Sequence, residues 1–275
     1  MRHLLFLFLS VFTLVIFAQE EKRILRATKV YDTAHTIVYY DLEYRTDSTK
    51  IHKYRRGKTV LQISEKYLAF TDYYIQIVDS LNDYAVGSKE REKLVSEPLS
   101  EVVGLVRYKI PLLTNLSRGQ TTFQLGMWTQ LEYTIPTPQI DWNLMAGDTL
   151  VNGVTCKKAM GRYAGRTYVA WYAESVQLPY GPYIFGGLPG LIMCIYDTKR
   201  NWIFTNSGIK PATSLAKMYL YTEKEREKMD RKKALSIYRN ELENMISVGI
   251  AKGRLLNVPP ELVQKTSSNM LELEW

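Results

Sequence analysis

Three histidines and two cysteines are the chain's whole stock of side chains that titrate near neutral pH or bind soft metals. They are not spaced for metal binding: the sequence has no Cys-x-x-Cys and no His-Glu-x-x-His. It also has no Gly-x-Ser-x-Gly elbow and no phosphate loop. His35 and His52 fall in polar, strand-like stretches, where an exposed or hydrogen-bonded structural role suits them better than a general base. Carboxylates are the other candidates for catalysis. Asp141, Asp148, Glu174 and Asp197 flank the segment richest in motif residues, and a glycosidase needs two such groups about 5 to 10 Å apart. Cys156 and Cys194 lie on separate predicted strands. A disulfide between them and a pair of free thiols are both compatible with the sequence. No metal or cofactor is expected.

The second kind of chemistry on offer is cationic and aromatic. Lys and Arg number 36 against 28 Asp and Glu, a formal charge of +8, which invites nucleic acid, membrane surface or acidic polymer as a partner. The excess is locally concentrated. Lys50, Lys53, Arg55, Arg56 and Lys58 form one acid-free group; Lys157, Lys158, Arg162 and Arg166 form another around residues 163–165. On one sheet edge they would make a basic patch suited to lipid phosphate, acidic glycan or an acidic protein. Trp171 and Tyr172 are neighbours on a predicted strand, so they point to opposite faces and one of them can serve an exposed surface. With Arg166, Tyr180, Pro182 and Tyr183 they form the expected binding surface.

The first residues bear on which of these partners is reachable. Met1-Arg2-His3, the apolar run Leu4 to Phe17, and then Ala18 before a polar stretch have the form of a secretory signal peptide, with cleavage expected after Ala18. The run is shorter than the roughly 20 residues a membrane-spanning helix needs. The expectation is therefore an exported protein, periplasmic or associated with the outer membrane, with no transmembrane span after cleavage and no nucleic-acid partner.

The remaining sequence sets the elements that must position these groups. Val38, Tyr40, Leu42 and Tyr44 alternate, as one face of a strand does. Val60 to Ile63 and Tyr73 to Val78 read as further strands from their β-branched and aromatic content. Residues 88–103 are charged and read as a short helix or exposed excursion, with Pro98 arguing against a long helix. Residues 154–162 and 166–173 form a predicted hairpin, and so do 191–197 and 201–205. Near the C-terminus Thr222 to Glu225 has the capping-box form, and Leu235, Tyr238, Leu242, Met245 and Ile246 recur at helical spacing. This predicts a helix over about 223–248, ending near Gly249 or Gly253. The expected fold is mainly β with a C-terminal helix (α+β): an antiparallel twisted sheet, sandwich or half-barrel, with the helix packed on the sheet. The expected organisation is a signal peptide (1–18), an antiparallel β domain (19–214) and a C-terminal helical extension (215–275) on the same domain.

The densest segment runs from Asp141 to Asp197. It holds Cys156-Lys157-Lys158-Ala159, Gly165-Arg166, Ala170-Trp171-Tyr172 and Gly181-Pro182, and it closes on Gly187-Leu188-Pro189-Gly190-Leu191-Ile192. Pro189-Gly190 suits the centre of a type II turn, with Leu191 and Ile192 starting a buried strand. These residues resemble the GLPGLI family (Porph_ging) of secreted Bacteroidetes proteins. The likeness is literal at residues 187–192 and extends over most of 35–210. Cys194 and the long basic C-terminal helix depart from the family pattern. The resemblance implies a cell-envelope protein of a group without an established activity, so it supplies no mechanism. Together with the scarcity of catalytic motifs, it leads to the expectation of a non-enzymatic binding or accessory protein whose partner is an envelope protein, peptide, glycan or lipid. Two alternatives stand beside it: a periplasmic lipid or apolar-ligand carrier, and a carboxylate-dependent hydrolase.

Overall fold

The computed structural model describes residues 27–50, 52–213 and 216–274. The expected signal peptide lies outside the described residues. Fourteen strands are formed among the described residues: β1 (Thr28–Thr33), β2 (Thr36–Tyr44), β3 (Arg55–Ile63), β4 (Tyr67–Asp72), β5 (Leu112–Asn115), β6 (Gln120–Gly126), β7 (Gln130–Pro136), β8 (Asn143–Val151), β9 (Val154–Tyr163), β10 (Arg166–Ala173), β11 (Leu191–Asp197), β12 (Trp202–Pro211), β13 (Lys217–Tyr221) and β14 (Glu227–Lys228). Twelve of them make one sheet in the order β14-β7-β6-β5-β4-β3-β2-β12-β11-β10-β9-β8, and β1 pairs with β13 in a separate ribbon. Every pairing is antiparallel except β14 with β7. The fold is mainly β, with an open sheet rather than a closed barrel.

The alternation in β2 decides which face is inside. Val38, Tyr40, Leu42 and Tyr44 are buried in one continuous core with Leu61 and Ile63 of β3, Phe123 of β6 and Phe204 of β12. On this inner face lies α3 (Arg231–Glu243), through Ala234, Leu235 and Tyr238. It is followed by α4 (Met245–Ala251). The inner face is also filled by Tyr183, Ile184, Phe185 and Leu188 and by Met270 and Leu271 near the chain end. The sheet curls around these groups: the ring of Tyr183 lies 5.7 Å from that of Phe123 on β6, seven strands from β10.

One end of the outer face is covered by helices and a ribbon. Helix α1 (Tyr73–Ala85) lies against it over β2 and β3, with Tyr73 edge-on to Tyr39 and Gln76 donating to Gln62. The β1–β13 ribbon packs Met218 and Leu220 on Ala69 and Leu113. Helix α2 (Lys89–Val103) pairs with α1 to complete this layer.

Three sequence expectations need correction. Tyr73 to Val78 is helical, because the Asp72 carboxylate accepts the Tyr74 N–H and starts α1. Residues 89–103 form a continuous helix despite Pro98. Leu94, four residues earlier, is 68% exposed, so the carbonyl that Pro98 leaves unpaired is on a solvated element. The C-terminal helix starts at Arg231 rather than near 223, capped by Asp230 through the Lys233 N–H. Thr222 has no capping role: its N–H donates to the Ala27 carbonyl, and β14 occupies the start of the predicted helix. The region after 215 thus contributes two strands as well as helices.

Candidate functional site

The GLPGLI segment is architectural at every position with a visible role. Leu188, Leu191 and Ile192 are buried, and the Ile192 carbonyl accepts the hydroxyl of Tyr40 at 2.8 Å. The type II turn expected at Pro189-Gly190 is replaced by a tighter one, in which the Gly190 N–H donates to the Leu188 carbonyl across Pro189 alone. Gly190 has φ +149, and a Cβ there would lie 2.1 Å from the Ala173 carbonyl oxygen. Glycine is required because two backbones meet at this point.

The expected binding surface mostly turns inward. Arg166 is buried and serves the chain end: it donates to the carbonyls of Leu271 and Met270 and to Asn269 Oδ1, and pairs with buried Asp197 at 3.3 Å. Tyr172, Pro182 and Tyr183 are buried, and Tyr180 is half-buried in a bridge to Gly186. The Tyr183 hydroxyl donates to Glu272; burial and then the Glu272 charge push its pKa far above the usual tyrosine range. Glu272 also accepts from Tyr163 at 2.9 Å and pairs with Arg231 at 2.7 Å. None of these groups is presented to a partner. Trp171 lies on the opposite side of the strand from Tyr172, as their adjacency requires, and is half-buried while Tyr172 is buried.

The two basic groups do not merge. Strands β3 and β9 are separated in the sheet by β2, β12, β11 and β10. Arg56 pairs with Glu43, Lys58 with Asp41 and Lys157 with Glu174, at 2.7 to 2.8 Å. Acid-free in sequence, these groups meet acids across the strands. Lys53 and Arg55 stay exposed near the β2–β3 connection. Cys156 and Cys194 are free thiols. Strand β10 lies between theirs, which puts the two backbones about 9 to 10 Å apart, beyond disulfide reach. The four carboxylates are also dispersed. Asp197 is committed to Arg166, Asn201 and the Trp202 N–H. Glu174 is committed to Lys157, Asp148 is exposed on the edge strand, and Asp141 is exposed in a loop.

The registers assemble a different surface on the outer face of β9 to β12, away from α1, α2 and the ribbon. Lys158, Trp171, Cys194, Thr205, Asp41 and Lys58 are successive cross-strand partners. They form one row about 24 Å long at the usual strand spacing. Met160, Val169, Tyr196, Ile203, Glu43 and Arg56 form the next row. Trp171 and Tyr196 are therefore diagonal neighbours, within reach of one another. Each carries a cation: Lys158 Nζ lies 5.7 Å from the Trp171 ring centre and the Arg200 guanidinium 4.3 Å from that of Tyr196. Lys158, Arg162, Lys199 and Arg200 have no acidic partner among the described residues.

Beside this row the tip of the β8–β9 hairpin leans over β12, where the Asn152 amide donates to the Asn206 carbonyl. The cleft beneath has a volume of about 440 Å³ and is lined by Asp41, Asn152, Thr205, Asn206 and Ser207 among others. Hydroxyl, amide and carboxylate groups thus adjoin an aromatic and cationic platform. Tyr196, Arg200, Asn152 and Asn206 were not singled out in the sequence. The available signal was that β10 and β11 are apolar at both parities, which marks strands whose second face is also partly buried.

The chain matches no family model. It also matches no curated protein. Among solved structures it is similar to PNGF-II in a P21 space group, at 13% identity and a TM-score of 0.46, covering 75% of this chain and 34% of that one. It is likewise similar to PNGF-II in a C2 space group, at 10% identity and a TM-score of 0.48, covering 74% and 32%. The chain spans about a third of the length of these structures.

Proposed function

We propose that this is an exported cell-envelope protein of the GLPGLI type that acts without catalysis, binding an acidic carbohydrate chain on the outer face of β9 to β12. The observation that carries the reading is the pairing of Trp171 with Lys158 and of Tyr196 with Arg200 on the sheet face away from the helices and the ribbon. Sugar rings stack on aromatic faces, and the cations supply partners for carboxylates. The cleft lined by Asn152, Thr205 and Ser207 together with Val154, Met193 and Ile209 adjoins one end of the same platform. The envelope location rests on the leader-like first 18 residues and on the likeness at 187–192.

The alternatives fare less well against the same geometry. A carrier with its cavity under the C-terminal helix needs space where Leu235 and Tyr238 share a filled core with Leu131, Phe123 and Tyr183. A hydrolase needs two acids facing one cleft, and the four candidates are dispersed or already committed.

The test is affinity electrophoresis in gels carrying polygalacturonate or neutral dextran. Polygalacturonate should retard the protein in a salt-sensitive manner, and dextran should not. Trp171→Ala should weaken retardation by about 1 kcal/mol, or roughly fivefold. Equal migration in both gels would sink the reading.

A further inference from the structure

A second pocket lies elsewhere on the outer face, between the α1–α2 hairpin and the strands β5 to β7. Its volume is about 310 Å³, at the small end of the range for small-molecule sites, about 300 to 1,000 Å³. One wall is apolar: Ile75 and Val78 of α1, Val103 at the end of α2, and Val106 and Met127. Val103 is 53% exposed at the rim, an apolar area that an occupant would cover.

The polar groups of the wall are nearly all engaged. Gln124 donates to Glu132 and to the Tyr221 carbonyl, and accepts the Tyr221 N–H. The Tyr221 hydroxyl donates to Asp79. Arg226 is held by Glu223, Gln130 and the Leu131 carbonyl. Lys109 is different: it lines the pocket and has no hydrogen-bond or ion-pair partner among the described residues. Its charged neighbours sharpen the contrast. Lys109 is itself solvent-exposed at the mouth of the pocket, with Arg55, Arg107 and Asp72 as its charged neighbours. The acid that opposes them, Asp72, already accepts the N–H groups of Tyr74, Arg107 and Tyr108. The site is thus an apolar wall with a solvent-exposed ammonium at its mouth that makes no hydrogen bond or ion pair with the described residues.

We propose that this pocket binds a small free amphipathic carboxylate, its alkyl chain against Ile75, Val78 and Val103 and its carboxylate on Lys109. Apolar burial supplies the affinity for the chain, and the unpaired ammonium selects the anion over an alcohol of the same length. The inference is independent of the carbohydrate surface, which shares no residue with it.

Isothermal titration of the full chain with hexanoate, octanoate and 1-octanol tests it. Octanoate should bind more tightly than octanol, and each methylene between hexanoate and octanoate should tighten binding about fourfold. Lys109→Met should weaken octanoate about tenfold and leave octanol unchanged. Val78→Trp should fill the pocket and abolish both. Val103→Trp is the second filling variant, at an exposed position that does not threaten folding. Equal affinity for octanoate and octanol, an unchanged Lys109→Met, or octanoate binding that survives Val103→Trp and Val78→Trp would each overturn the proposal. So would the absence of any octanoate binding.

Discussion

Two glycines three positions apart separate backbone strain from steric collision. Gly187 has φ +84 and open space around a would-be Cβ; Gly190 has φ +149 and would drive its Cβ to 2.1 Å from the Ala173 oxygen. Gly187→Ala should cost only the left-handed penalty, about 1 to 2 kcal/mol. Gly190→Ala adds a backbone clash that no rotamer relieves and should cost more than about 3 kcal/mol. Urea midpoints at a constant denaturant slope measure both, and equal losses would show that the close approach at 190 is soft. The thiols provide a second residue-scale test. Burial raises the pKa of both Cys156 and Cys194 above the usual thiol range. At pH 8 iodoacetamide should therefore modify both more slowly in the native protein than in the denatured one, because the thiolate is the nucleophile. Without reductant, both should be fully modified once the chain is unfolded; an unmodified pair would mean a bridge. The importance of Gly190 was legible in the sequence, because a Pro-Gly pair before two apolar residues marks a forced turn. Its collision partner was not, because Ala173 reaches it only through the fold.

At the scale of elements, Asp72 does the work of two caps. One carboxylate oxygen accepts the Tyr74 N–H at the start of α1, and the other accepts the N–H groups of Arg107 and Tyr108, where the chain returns from α2. Both helices are thereby tied to the end of β4. Asp72→Ala should cost well over the roughly 1 kcal/mol of an ordinary cap, on the order of 3 kcal/mol, since two buried N–H groups lose their acceptor. Asp230→Ala, which removes a single exposed cap bond at α3, should cost about 1 kcal/mol by the same chemical denaturation. The pair also shows why the helices were hard to read. Tyr73 to Val78 has the composition of a strand, and what makes it helical is a cap and a sheet face to lie on. Thr222 to Glu225 has the form of a cap but lies where the chain pairs with other strands. The hairpins fared better. Ala164 and Gly165 both have positive φ, as the two-residue turn between β9 and β10 requires; Gly165 marks the turn in the sequence, while Ala164 takes a left-handed conformation that its residue type does not favour. The outer-face rows on β9 to β12 are half legible: alternation fixes which residues share a face, but only the strand order brings Trp171, Thr205 and Asp41 into line.

At the scale of the whole molecule, an open sheet must hide its inner face without closing into a barrel, and here the chain end does much of that. Asn269 to Leu273 lies across the end of the sheet where β10, β11 and β12 meet. Asn269 donates to the Arg45 carbonyl and its own carbonyl accepts from Trp202; Leu271 accepts from Arg166 and Tyr168; Leu273 donates to Ala164. Glu272 ties Tyr183, whose ring meets Phe123, to Arg231 of α3. The segment thus joins the GLPGLI loop, the hairpin turn and the helix that fill the inner face. Arg166 is the most exacting of its partners. Its side chain is 4% exposed, and three of its acceptors come from residues 269–271, leaving only Asp197 if they go. A buried guanidinium stripped of most of its acceptors costs about 3 to 5 kcal/mol, a large share of the 5 to 15 kcal/mol that holds a typical domain folded. A chain ending at Ser268 should therefore melt at least about 6 °C below the full chain. Arg166→Met with Asp197→Asn should recover part of that loss in the shortened chain, because no buried charge is then left without partners, while destabilising the full-length protein. A shortened chain that melts with the full one would mean that the tail rests on the sheet without completing it. Recovery in neither background would mean that Arg166 is not where the loss is felt.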